Sequence, residues 1–149
     1  MSPFYLDKSR KNDAYWRQRY AGTNGGAEPP AARLVQANAE KLPFEDASFD
    51  AVTCVYLFHE MPAEARANAA AEMARVVKPG GTVVFTDSIQ RGDRPALDEG
   101  LDKFENLNEP HYPSYIRSDV PKYFTDAGLV CGDKSVASTS KTLSFTKPL

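Results

Sequence analysis

Two apolar runs, AVTCVYLF at residues 51–58 and TVVF at 82–85, constrain this chain more than anything else in it. Both are rich in β-branched and aromatic residues with little alternation, the pattern of strands covered on both faces. Between them lies MPAEARANAAAEMARVVKPGG. There Ala65, Ala69, Met73, Val76 and Val77 recur at helical spacing, and Lys78-Pro79-Gly80-Gly81 stops the helix. One glycine of that stop, Gly80 or Gly81, is expected to take the left-handed conformation that ends the helix and feeds the next strand.

The rest of the chain extends this α/β pattern. Ser2 and Pro3 read as the cap and first turn of a helix reaching Tyr20, with Tyr5, Tyr15, Trp16 and Tyr20 as its aromatic side. Residues 21–32 hold three glycines and two prolines and read as a flexible loop. ARLVQANA is a short strand candidate and LDEGLDKFENL a short helix. Ser118 is a candidate cap for a helix running to Ala127, with Gly128 at its end. LVCGDKSVAS and KTLSFTKP read as two antiparallel strands. The expected organisation is a single domain over 1–149: an N-terminal helix (1–20), the loop (21–32) and an α/β core (33–149).

Composition narrows the function classes. A chain of 149 residues buries about 70% of its unfolded surface, enough for a core without staples. The net charge of −2 argues against nucleic acid as a partner, since phosphate binding needs a concentrated basic face. Lys8, Arg10, Lys11, Arg17 and Arg19 make the first twenty residues locally basic, which reads as a solvated helix face. Cys54 and Cys131 lie far apart, and His59 and His111 are too few for a histidine-based site, so no metal is expected. No apolar stretch approaches the ~20 residues of a membrane span, and no signal-peptide core begins the chain. The expected setting is a reducing aqueous compartment, not a secreted one.

QANAEKLPFEDASFDAVTC at 36–54, with HEMP and RVVKPGGTVVFTD after it, carries a more specific signal. In that order and separation these segments resemble the S-adenosylmethionine-dependent methyltransferases of the Rossmann-like class, closest in flavour to the small-molecule and quinone-type branch. The resemblance spans roughly residues 2–147. RGDRPALDEGL, NEPHY and SFTKP are similar to plant and cyanobacterial members, which makes a plastid stroma as well as a cytoplasmic setting conceivable.

The resemblance implies S-adenosylmethionine as cofactor and assigns expected roles to residues at the carboxyl ends of the strands. Asn38 stands where relatives use an acid to accept from the adenine amino group; its amide oxygen still accepts. The Ala39 backbone N–H faces the ring, and Leu42 walls it, with packing of the turn under the sheet as the alternative for Leu42. Tyr56 and Leu57 pass beside the methionine part. His59 and Glu60 lie towards the acceptor and form a candidate general-base pair, with His59 packing the following helix as the alternative. Asp87, His111 and Tyr112 are expected on the substrate side.

Two family elements are not found. There is no G-x-G-x-G turn, and GTNGG at 22–26 follows a helix, so it is no substitute. The ribose-binding acid that precedes a segment like SPFYLDKSRKN in relatives is missing too. The chain therefore reads as strands 3–7 of the family's 3-2-1-4-5-7-6 sheet with the first two absent, helices on both faces and a C-terminal antiparallel hairpin. Strand 3 then pairs with strand 4, or a second copy or partner protein covers the opening, or the sequence is part of a longer enzyme. Each predicts weak or absent cofactor binding by this chain alone. Two functions stay open: methyl transfer to a small or lipophilic acceptor, or an inactive remnant serving as a structural or assembly subunit of a larger, photosynthetic-type complex.

Overall fold

The computed structural model describes residues 3–23, 25–103 and 109–149, so the expected capping role of Ser2 lies outside the described residues. The chain divides into two compact units, 1–38 and 39–149. The first is built on helix α1, Pro3–Thr23, one turn longer than the expected end at Tyr20. Gly25 and Gly26 then turn the chain with φ of +64° and +86°, values that favour glycine. The segment expected to be a flexible loop is tied back to α1. Arg17 Nη2 donates to Glu28 Oε2 at 2.6 Å, and Arg17 Nε donates to the Pro29 carbonyl at 2.7 Å. Phe4, Tyr5, Trp16 and Tyr20 are exposed on α1.

Residues 33–37 form no strand, and Asn38 and Lys41 are isolated bridge positions. The expected third strand of the family sheet is therefore not formed, and it does not slide over to pair with the strand at 49–55. A β segment is stable only in a ladder, and Leu34 and Val35 have no strand to pair with among the described residues.

The second unit carries a four-stranded mixed sheet of order β1-β2-β4-β3. Its strands are β1 (Phe49–Val55), β2 (Val77–Ser88), β3 (Val130–Ala137) and β4 (Ser140–Thr146). β1 and β2 are parallel, joined by helix α2 (Ala63–Val76), while β4 is antiparallel to both β2 and β3. The expected hairpin is present; among the described residues the expected fifth strand is not.

β1 is not covered on both faces as its apolar run predicts. It pairs with β2 on one side only, and Val55 and Tyr56 are 59% and 48% exposed. Among the described residues of this unit, helices on both faces are not seen either. Cys54, Val83, Phe85, Leu143 and Phe145 point into one core with α2, α4 (Tyr112–Ile116) and α5 (Val120–Asp126). The opposite face offers Thr53, Val55, Val84, Thr86, Thr142 and Ser144, half-buried or exposed. Threonine and serine at alternate positions bring little apolar area to a second helix layer.

Aromatic rings fill the core. Phe124 stacks on Phe145 at 4.4 Å between centroids and on Phe58 at 5.5 Å, and Phe85 meets Phe58 edge-on at 4.9 Å. The expected helical stripe is buried throughout, from Ala65 and Ala69 to Met73, Val76 and Val77. Its alanines let α2 approach the sheet closely. Lys147, from SFTKP, closes the far end of α2: its Nζ donates to the carbonyls of Ala74 at 2.7 Å and Val77 at 2.9 Å. A cation on otherwise orphaned C-terminal carbonyls stabilises the helix end.

The KPGG segment leaves the α2 axis through an extended Val77 and bulges out of the β1–β2 ladder between Phe49 and Ala51. Gly80 takes the expected left-handed conformation, φ +75°, but within β2 and not at the end of α2, which stops at Val76. Gly81 answers a different need, since a Cβ there would lie 2.8 Å from the Asp50 carbonyl oxygen. Of the expected short helix, α3 forms over Asp98–Lys103, while residues 104–107 lie outside the described residues. α5 is capped by Asp119, whose side chain accepts from the Lys122 N–H, and not by Ser118. The Ser118 hydroxyl instead donates to the Tyr115 carbonyl at 2.8 Å. Gly128 follows α5 with φ +88°.

Candidate active site

Where the parallel strands β1 and β2 end, their loops diverge and leave a crevice, the usual ligand position in such sheets. Tyr56 leaves β1 with φ +49°, a strained value for a non-glycine residue, and its hydroxyl is held by the Ser140 hydroxyl at the start of β4. This turn throws the chain into a short helical turn, Phe58–Glu60, whose Phe58 is fully buried. The anchor of that turn is Asp87 at the end of β2.

Asp87 is completely buried. One carboxylate oxygen accepts the Phe58 N–H at 2.9 Å; the other accepts the Ser88 N–H at 2.7 Å and lies 2.6 Å from His59 Nδ1. Two backbone donors and a histidine thus compensate its burial. An acceptor-only carboxylate on Nδ1 places the imidazole proton there and leaves Nε2 as the free lone pair. The ring is half-enclosed by Tyr56, Tyr112 and Tyr115, with centroid distances of 6.2, 6.3 and 6.2 Å.

A cavity of about 260 Å3 opens at His59, lined by Tyr56, Ser88, Ile89, Leu101, Glu109 and Tyr112 among others. Its walls are apolar with a few polar groups, the general character of a small-molecule pocket. Burial pushes the phenols of Tyr112 and Tyr115 above their ordinary range, with the Asp87 charge adding to the effect. Both rings therefore stay protonated. The Tyr115 hydroxyl donates to the Ser88 carbonyl at 2.6 Å and locks the end of β2 to α4. The Cys54 thiol is pushed up to about 12, first by burial and then by Asp87, so it is an inert core residue.

Of the expected site residues, His59, Asp87, Tyr56 and Tyr112 come together at this cavity. Glu60 stands at its rim, its Oε1 3.5 Å from His59 Nε2 and its side chain 60% exposed. His111 does not line the cavity; its carbonyl accepts from Arg66 Nη2 at 2.9 Å. Leu57 and Ala39 are partly buried against the core. The Leu42 backbone N–H donates to Glu72 Oε2 at 2.6 Å. Asn38 belongs to the first unit, and Asn108 of NEPHY lies outside the described residues.

Arg66 is the residue that sequence reasoning missed. It is fully buried on α2, donating from Nε to the Phe58 carbonyl at 2.8 Å and from Nη2 to the His111 carbonyl and the Ser114 hydroxyl, both at 2.9 Å. Its guanidinium lies over the Tyr115 ring at 5.5 Å. One side chain thus joins the His59 turn to α4. A signal was present: position 66 shares the helical face of Ala69, Ala70 and Met73, where a cation is out of place. Glu109 was missed as well.

Fit to a methyl donor is partial. Tyr56 and Leu57 end β1 as a donor-side rim would require, but glycines 25 and 26 turn the chain after a helix and not between a strand and a helix. The described residues thus include no glycine cradle for the donor's amino-acid end.

A family model for a methyltransferase domain matches residues 4–85. Among curated proteins, the uncharacterized methyltransferase YcgJ of Bacillus subtilis is 39% identical over 80 residues, 54% of this chain and 30% of that protein. The ubiquinone/menaquinone biosynthesis C-methyltransferase UbiE of Brucella canis is 36% identical over 90 residues, 60% of this chain and 32% of that protein. The aligned regions thus make up about a third of the length of these relatives. Among solved structures, a methyltransferase-like protein of Bacillus halodurans (BH2331) superposes with a TM-score of 0.63 at 20% identity, covering 89% of this chain and 77% of that one. Strand pairing, crevice and family match converge: the chain belongs to the class I S-adenosylmethionine-dependent methyltransferase domain family.

Proposed function

We propose that this chain carries the acceptor side of a methyltransferase site, with His59 as the general base. The observation that carries this reading is the 2.6 Å contact between His59 Nδ1 and the buried Asp87 carboxylate, at the end of a parallel strand and on the wall of a cavity. Asp87 fixes the tautomer, so Nε2 takes the proton of an acceptor hydroxyl or activated C–H lying in the cavity. Tyr56, Ile89, Leu101 and Tyr112 hold an aromatic or aliphatic acceptor and exclude water. S-adenosylmethionine, the family's donor, supplies an electrophilic methyl group when bound. Ala39, Leu42, Tyr56 and Leu57 are its proposed contacts, and Glu60 stabilises the imidazolium that forms at His59.

The cavity's size fits a single ring with short substituents, in keeping with a small acceptor. The test is transfer of radiolabelled methyl from S-adenosylmethionine to a panel of phenols and hydroquinones, with wild type and His59→Gln compared. Label in the products, reduced about 100-fold in the variant, supports the reading; equal transfer by both proteins refutes it.

A second reading has one observation behind it. β1 is an edge strand with Val55 and Phe49 exposed, and among the described residues the adjoining sheet face carries no helix of its own unit. An open edge of this kind pairs readily with another chain, which fits an assembly subunit whose partner or second copy covers β1. Light scattering on the purified chain distinguishes a monomer from such an assembly.

A further inference from the structure

Three electron-pair donors meet at the rim of the cavity. One oxygen each from Glu60 and Glu109 and one ring nitrogen of His59 all lie within 4.8 Å of one another. With the imidazole proton held on Nδ1 by Asp87, Nε2 and Glu60 Oε1 are two acceptors facing each other at 3.5 Å. Glu109 Oε2 is buried with no hydrogen-bond partner among the described residues, an expensive state for a carboxylate oxygen. A shared cation resolves both mismatches at once.

We propose that His59 Nε2, Glu60 and Glu109 form a binding site for a divalent transition-metal cation of the zinc type. An imidazole with two carboxylates is a mixed nitrogen–oxygen set, which suits Zn2+ better than the all-oxygen preferences of Ca2+ or Mg2+. The Asp87 carboxylate on His59 Nδ1 supplies the outer support that metal-bound histidines generally have. Tetrahedral Zn2+ brings its ligand atoms to about 3.4 Å apart. The 3.5 Å between His59 Nε2 and Glu60 Oε1 already matches that spacing, and Glu109 lies within 4.8 Å of both.

Counting histidines missed this site because two of its three ligands are carboxylates. Bound Zn2+ takes the Nε2 lone pair while the Nδ1 proton stays with Asp87. On the proposed reading of His59 as base, the cation therefore competes with proton uptake from the acceptor and switches methyl transfer off.

The experiment is a calorimetric titration of ZnCl2 into the chelator-stripped 149-residue chain carrying Cys131→Ser, which removes the exposed thiol. It runs without any methyl donor or acceptor, so its outcome is separate from that of the methyl-transfer assay. One Zn2+ per chain is expected, with Glu60→Gln and Glu109→Gln each weakening binding at least tenfold and circular dichroism confirming the fold. Co2+ in place of Zn2+ should give visible absorption bands that Glu109→Gln alters. Absence of one-to-one binding, or an affinity unchanged in the exposed Glu60→Gln variant, overturns the proposal.

Discussion

Asp87 Oδ1 lies 2.6 Å from His59 Nδ1, joining the end of β2 to the turn that follows β1 across 28 residues of sequence. The same carboxylate holds the Phe58 and Ser88 N–H groups, so it sets both the turn and the ring. Replacing it with asparagine keeps the shape and removes the charge. Asp87→Asn should lower methyl-transfer kcat by about 100-fold while leaving the acceptor KM within a few-fold. Its fully buried hydrogen bonds should also cost about 1–3 kcal/mol of stability. Steady-state kinetics and urea unfolding measure the two effects separately.

Arg66 bridges the Phe58 carbonyl and α4 from a fully buried position. Arg66→Ala removes three hydrogen bonds and empties a large buried volume, and should destabilise the fold by about 3–5 kcal/mol. Urea midpoints check this. Arg66→Lys keeps the charge but not the three-way contact, and should recover only part of the loss.

Gly81 sits in the bulge of the β1–β2 ladder, opposite Asp50. A Cβ there meets backbone oxygens of Asp50 and Lys78 at 2.8 and 2.9 Å, as well as the Val77 side chain. Gly81→Ala should destabilise by about 1–3 kcal/mol. At Gly80 the nearest atom is a Leu149 methyl at 3.2 Å, so alanine costs mainly its positive φ, about 1–2 kcal/mol. Thermal melts of the two variants rank them.

Glu72 accepts from Arg75 and from the Leu42 backbone N–H, and the Arg75 contact comes first in holding its carboxyl down at about 2. A carboxylate lowered on folding contributes stability above its unfolded value, about 4.3. That stability is lost as pH falls from there through about 2. Wild type should therefore lose stability across this window and Glu72→Gln should lose less. Urea midpoints at pH 2.5, 4 and 6 make the comparison.

Cys54 is buried with its thiol raised to about 12, whereas Cys131 is exposed. Ellman's reagent at pH 8 should titrate one thiol in the native chain and two after denaturation.

Periodicity made much of this fold legible. The stripe from Ala65 to Val77 and the closing hairpin depend on short-range spacing, and the structure bears them out, whereas α2 ends at Val76 and the KPGG run belongs to β2. What a run of apolar residues does not encode is how many neighbours it has. AVTCVYL reads as buried on both faces, yet it is an edge, and RLVQANA reads as a strand without finding a ladder. The capping of α5 turned on one residue, since Ser118 and Asp119 are both good caps and the chain used the second.

The candidate site was legible where residues end strands, as with Tyr56 and Asp87, because strand ends are readable and families place ligands there. Arg66 braces the His59 turn, and Glu109 lines the cleft, through tertiary packing of α2 and of the segment before α4, which local spacing does not reveal.

Methyl transfer by wild type and His59→Gln, followed as radiolabel passing from S-adenosylmethionine to a small phenol or hydroquinone, tests the central claim most directly. The account predicts labelled product with wild type and about 100-fold less with the variant. No labelled product with wild type, or equal amounts with both, would contradict it.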